Sequence, residues 1–278
     1  MAQCDVEIAS PVLPVTATSG GHDIVRLQEW LVARGVNAGT NPGAPSDSPA
    51  AAGIDGGFGP ATQAACSAFA AASGLAANGT VDAAFWQALT GGMQAAFGFR
   101  STQAAVGPAV IETAQAHLAQ KPVEDRRLVN GRLIGQDNSG PWIRAYCFGL
   151  SAEWCQGAAS QWVRQAFAAL GRPLPFPLDA PQVLPLFVPS IVSAASQAGR
   201  LVLGSGPAAV PAGSFFFVRG IVDGQASHIH VGVTVSPIRG DGSFDTVEGN
   251  TNTDGSSNGW EVCRRVRSRA SCDFGVLA

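Results

Sequence analysis

Apolar residues recur at helical spacing through the first part of this 278-residue chain, and the pattern turns to strands from Ala212 onward. That single change constrains the fold most. Helices first and strands later specify an α+β protein with an antiparallel sheet. The strands are expected at Ser214 to Arg219, His228 to Val235, Phe244 to Glu248 and Glu261 to Arg267.

The N-terminal part reads as a small helical unit. Asp23 is placed to cap a helix whose apolar face is Ile24, Leu27 and Leu31, ending near Gly35. A loop rich in Gly, Pro, Ser and Ala follows, then Ile-Asp-Gly-Gly-Phe-Gly-Pro (Ile54 to Pro60). Its glycines allow a tight turn, and Pro60 suits the first turn of the next helix, which runs to about Ala72 and carries Phe69. After a second turn, Val81, Phe85 and Leu89 mark a short third helix.

Val-Arg-Leu-Gln-Glu-Trp-Leu, Asp-Gly-Gly-Phe-Gly-Pro-Ala-Thr and Gly-Thr-Val-Asp followed by Trp86 together resemble the three-helix peptidoglycan-binding domain found beside many cell-wall hydrolases. The resemblance implies a wall-binding domain over residues 1–90, with Asp55, Phe58 and Thr62 as candidate substrate contacts. Residues 91–107 lack strong periodicity and read as a linker.

A helix carrying Val110, Ala114 and Leu118 opens the second domain, taken as 108–278, and a polar, loop-rich stretch spans Val123 to Gly140. Cys155 stands where a helix begins, with Ala158, Ala159, Trp162, Val163 and Ala166 on its inner side. A thiol attacks only as the thiolate. The unpaired N–H groups and partial positive charge at a helix start favour that anion. The small residues after Cys155 let a substrate backbone approach, and the Cys155 N–H is placed to bind an oxyanion. His230 is expected to move the proton. His228, two residues away, is expected on the same strand face and is the fallback. Glu248 is the better partner to fix the imidazole tautomer, with Asn250 sharing that role or polarising the site.

Each residue alone has a bland reading. A cysteine is usually a small buried hydrophobe, and a strand histidine is usually structural. Cys147 is a rival nucleophile, but it precedes a turn-like Phe-Gly-Leu. The ordered set changes the balance. Trp154-Cys155 before a helix, Gly-Ser-Phe-Phe-Phe, His-Val-Gly-Val and Val-Glu-Gly-Asn resemble the cysteine, histidine-dependent amidohydrolase/peptidase domains of cell-wall lytic enzymes. That resemblance implies a papain-like α+β catalytic domain, with Cys155 as nucleophile, His230 as base, Glu248 and Asn250 as orienting residues and Trp154 as a candidate substrate contact.

The two halves point to one polymer, peptidoglycan, and to hydrolysis of an amide in its stem peptide or cross-link. The alternatives are an inert wall-binding virion protein and a papain-like protease or transglutaminase-type enzyme. No cofactor is expected and no metal, since the four histidines His22, His117, His228 and His230 offer no His-Glu-x-x-His spacing and no cysteines form a Cys-x-x-Cys pair. A net charge of −3 gives no global attraction to nucleic acid or anionic membrane. No long unbroken apolar run suggests membrane insertion, and the N-terminus has no basic region leading into an apolar core, so no secretory signal is expected. A monomer made in the cytoplasm and acting at the wall or periplasm is expected, with a phage endolysin first and a secreted antibacterial effector second. The run Arg264, Arg265, Arg267 and Arg269 reads as a solvated face or a contact to anionic polymer. A Cys263–Cys272 bridge is left open.

Overall fold

The computed structural model describes residues 3–36, 38–41, 43–178, 186–253 and 258–278. The chain divides into two compact units, Met1–Ala95 with Pro122–Ser151 and Ala96–Lys121 with Ala152–Ala278. It is α+β, with helices first and one large antiparallel sheet late in the chain.

The first unit starts with α1 (Gln3–Ile8), then α2 (Gly21–Ala33), α3 (Pro60–Ala72) and α4 (Ala83–Gly98). Ile24, Leu27 and Leu31 are buried as their spacing predicts. The cap differs from expectation. Gly20 is the N-cap and makes no side-chain cap, while Asp23 stands in the first turn, favourably placed near the positive end of the helix. Gly35 ends the helix at φ 74°, and Val36 N–H closes back on Leu31 O at 2.8 Å. Pro60 occupies the first turn of α3 as expected. Phe69 and Phe85 meet edge to face at 5.1 Å, fastening α3 to α4.

Two parts of this unit depart from the expected segmentation. Residues 91–98, read as linker, continue α4, and Met93 and Ala96 are buried there. The stretch read as polar loop forms a hairpin, β1 (Arg126–Val129) and β2 (Arg132–Gly135), followed by α6 (Pro141–Tyr146). The chain order groups it with the second half, yet it packs in the first unit. Gly135 N–H donates to Ser46 O at 2.9 Å, and Trp142 lies 6.4 Å from Trp30. Arg144 bridges two carboxylates, donating to Glu7 at 3.0 and 2.9 Å and to Glu29 at 3.0 and 2.7 Å.

The second unit holds α5 (Val106–Ala119), α7 (Cys155–Leu170), α8 (Val188–Gln197) and strands β3 (Leu201–Val202), β4 (Phe215–Val222), β5 (Gln225–Thr234), β6 (Ser243–Thr251), β7 (Glu261–Ser268) and β8 (Cys272–Gly275). The strand order is β3-β8-β4-β5-β6-β7, antiparallel throughout. β4 is interior and covered on both faces, which is why Phe215, Phe216 and Phe217 are all fully buried. Burying each contributes about 1.5–3 kcal/mol over leaving it exposed. The apolar side of α7 packs on β5 and β6, and α5 packs on α7. His117 is a satisfied core histidine. Burial lowers its pKa to about 4, and Gln165 lies 3.1 Å from its Nε2.

Candidate active site

Cys155 is the first residue of α7, after the N-cap Trp154. Ala158 N–H is bonded to Trp154 O at 2.9 Å. Helix geometry leaves the three N–H groups before it, those of Cys155, Gln156 and Gly157, without partners inside the helix. Trp154 is fully buried against the strand that bears the acid. A Cβ at Gly249 would lie 2.8 Å from the Trp154 ring and 2.9 Å from the Ala158 methyl, so only glycine lets β6 approach the start of α7. Trp154 is thus a packing residue that seats the helix end, not an open substrate contact.

His230 is 0% exposed, and its Nε2 donates to Glu248 Oε2 at 2.9 Å. Glu248 accepts three further bonds: from Thr246 Oγ1 at 2.6 Å and from Arg267 Nε and Nη2 at 2.8 and 2.5 Å. Burial alone would raise this carboxyl, but the Arg267 guanidinium and His230 hold it down to about 2. Burial alone would lower His230, but Cys155 and Glu248 outweigh it and push the imidazole up to about 9. The other ring nitrogen, Nδ1, is buried with no well-formed hydrogen bond to the described residues. Cys155 raises the ring first as a hydrogen-bonding neighbour and then through its charge. A thiol, an imidazole and a carboxylate in this order can hold a thiolate–imidazolium pair with its tautomer fixed.

The structure brings together Cys155, His230 and Glu248. Asn250 lies beside them in sequence but does not continue the alternation. It takes φ 56° where the β6–β7 register slips between Glu248 and Thr251, and its buried Oδ1 has no hydrogen-bond partner among the described residues. Orientation of the imidazole accordingly falls to Glu248.

His228 and His230 do not share a face. Val218 pairs with His230 and Arg219 with His228, so Ile229 is an extra residue and the two-residue repeat is broken. His230 lies against Phe216, whereas His228 lies against Phe217 and its Nε2 meets Asp273 Oδ2 at 2.9 Å. Cys147, the rival nucleophile, ends α6 in the first unit and starts no helix. Cys263 and Cys272 are free thiols.

Arg267 and Thr246 are the residues that sequence reasoning missed. The run Arg265-Val266-Arg267 points its arginines inward and leaves Val266 62% exposed, the reverse of the usual arrangement. Arg265 donates to Thr251 Oγ1 at 2.9 Å, and Arg269 donates to the carbonyls of Gly204, Gly206 and Ala208 at 2.9, 2.6 and 2.7 Å. Of the basic run, Arg264 is the exposed member.

In the first unit, Gln28 organises the glycine-rich turn. Its Nε2 donates to Asp55 Oδ1 at 2.8 Å, and its Oε1 accepts from the N–H groups of Asp55 and Gly56 at 3.0 and 2.9 Å. Thr62 is buried and bonded to Gly57 O at 3.1 Å, so Thr62 and the carboxylate of Asp55 are committed to holding the turn. Phe58 is half-buried and opens on a cavity of about 540 Å³ that is also lined by Val15, Gln63, Asn78 and Thr80.

Residues 20–89 match the family model described as a putative peptidoglycan binding domain. The first unit therefore contains a peptidoglycan-binding domain, which associates the chain with the cell wall. No curated protein and no solved structure matches the chain. Among the described residues no helix is long and apolar enough to cross a membrane, and no group of three or more His, Cys, Asp or Glu side chains could hold a metal ion.

Proposed function

We propose that the protein is a peptidoglycan hydrolase that cleaves an amide of the stem peptide or cross-link by a thiol mechanism. The observation that carries this reading is the ordered Cys155–His230–Glu248 set at the start of a helix, in a chain that also bears a peptidoglycan-binding domain.

In this reading the Cys155 thiolate attacks the amide carbonyl carbon, and the backbone N–H groups at the start of α7, that of Cys155 first, receive the oxyanion. Imidazolium His230 gives its proton to the departing amine as the C–N bond breaks, leaving a thioester on Cys155. Water then attacks the thioester while His230 takes its proton. The C–S bond breaks, and a carboxylic acid leaves. Glu248 stays ionised throughout and holds the ring. The enzyme acts at the wall or periplasm, as a phage endolysin or as a secreted antibacterial effector. Mass spectrometry of purified peptidoglycan treated with wild type and with Cys155→Ala tests this. New amine ends from the wild type alone support it, and their position names the bond.

One observation favours a second reading. Cys155 is only 5% exposed and His230 is closed off from solvent, so a wall-binding protein with an idle thiol has the same site. Alkylation of Cys155 by iodoacetamide separates the two. An idle, closed thiol reacts only as the protein unfolds, whereas a working one reacts in the native protein.

A further inference from the structure

Arg267 has no step in the reaction above, yet it makes the shortest contact that Glu248 receives. Its fork engages both carboxylate oxygens at 2.8 and 2.5 Å, and its guanidinium carbon lies 5.9 Å from the centre of the Phe216 ring. A planar fork matches a carboxylate in a way that a lysine ammonium does not. The side chain is largely buried, so this contact is not a screened surface pair.

The ionisable groups that meet here come from five elements: Cys155 on α7, His230 on β5, Glu248 on β6, Arg267 and Cys263 on β7, and Cys272 on β8. Burial pushes Cys263 up to about 12 and Cys272 up to about 11, so both stay neutral thiols. Glu261 and Arg265 also act on Cys263, and Arg219 on Cys272. The charges that remain are one carboxylate, one guanidinium, and the pair formed by His230 and Cys155. Without the guanidinium, a fully buried carboxylate would have the imidazolium as its sole cation and would spend that charge.

We propose that Arg267 is a positioning residue that takes up the charge of Glu248, leaving the positive charge of His230 to pair with the Cys155 thiolate. The proposal rests on the thiol-hydrolase reading but is tested separately from it. The full-length protein is used, with the His230 ring followed by NMR against pH and Cys155 alkylation followed in parallel. In Arg267→Gln the His230 midpoint moves to higher pH by about one unit or more. Cys155 alkylation at neutral pH slows about tenfold, one unit being tenfold in an equilibrium. Arg267→Lys, which keeps the charge, restores both. A midpoint unmoved in Arg267→Gln, or moved equally in Arg267→Lys, overturns the proposal.

If Arg267→Gln does not fold, Glu248→Gln is compared with the double variant Glu248→Gln/Arg267→Met, which buries no unpaired charge. The His230 midpoint then lies higher in the double variant than in the single one. Equal midpoints overturn the proposal. If wild type leaves peptidoglycan intact while the midpoints move as stated, the hydrolase reading fails and the charge pairing stands. If peptidoglycan is cleaved and the midpoints do not move, the reverse holds.

Discussion

His230 Nε2 donates to Glu248 Oε2 at 2.9 Å, joining β5 to β6 across eighteen residues of chain in a site from which both side chains exclude water. The bond fixes which imidazole nitrogen is left for Cys155, so it sets the site's chemistry as well as its shape. Glu248 is held on its other sides by Thr246 and Arg267.

Removing that carboxylate disturbs stability and activity together. Glu248→Ala leaves Arg267 buried without its partner, and breaking a buried pair costs about 3–5 kcal/mol. Glu248→Gln keeps the shape better, and its wall-cleaving rate falls by about 10²–10⁴-fold through loss of a correctly oriented base. Urea melts and turbidity loss of wall suspensions measure the two effects.

The imidazole gives a pH dependence with a definite sign. His230 titrates near 9 in the fold against 6.5 for a free imidazole, so its contribution to stability is complete below pH 6.5 and is lost as pH rises through about 9. Glu248 works the other way, contributing above pH 4.5 and failing as pH falls through about 2. Melting temperatures of wild type and His230→Gln, compared from pH 6 to 10, should converge at the alkaline end.

Asp125 offers a contrasting case in the first unit. It is buried, and burial together with Glu29 and Glu124 raises its carboxyl well above the usual range, against the pull of Arg144. A raised carboxyl costs stability as pH climbs from its unfolded value toward its folded one. Asp125→Asn keeps the volume and a hydrogen-bond donor and removes that titration. The variant is expected to be as stable as wild type or more so at pH 7, and to show a flatter stability profile from pH 4 to 8 by denaturant melts.

Gln28→Ala tests the turn of the peptidoglycan-binding domain. It takes the acceptor from the part-buried Asp55 and Gly56 N–H groups, while the Thr62 hydroxyl keeps Gly57 O. A fully buried group so stranded costs about 1–3 kcal/mol, and these two part-buried ones lie at the low end of that range. The variant is expected to lose at least about 2 kcal/mol in urea melts, and its retention on purified wall should fall with the turn.

What sequence could show depended on whether a feature is local. The helices around Leu27, Phe69 and Phe85 and the four long strands follow from spacing and turn residues. Cys155 at a helix start follows from the residues after it, and Glu248 as the better partner of His230 follows from its place on the next strand together with the resemblance. Gln28 was missed, although a polar residue at a core position between Leu27 and Leu31 is a signal that goes with a buried network. The facing of His228 was not legible, because a bulge at Ile229 is decided by the partner strand. Arg267 was hidden for a related reason. In Arg265-Val266-Arg267 period two allows either set to face inward, and Glu248 on the neighbouring strand chooses the arginines. The placement of residues 122–151 in the first unit depends on Arg144 meeting Glu7 and Glu29, more than a hundred positions away in the chain.

The most direct test of the central claim is mass spectrometry of purified peptidoglycan after digestion by wild type and by Cys155→Ala. New amine ends at one amide, produced by wild type and absent with the variant, are the predicted result. Wall that both proteins retain on binding and neither one cleaves would contradict the account and leave a wall-binding protein.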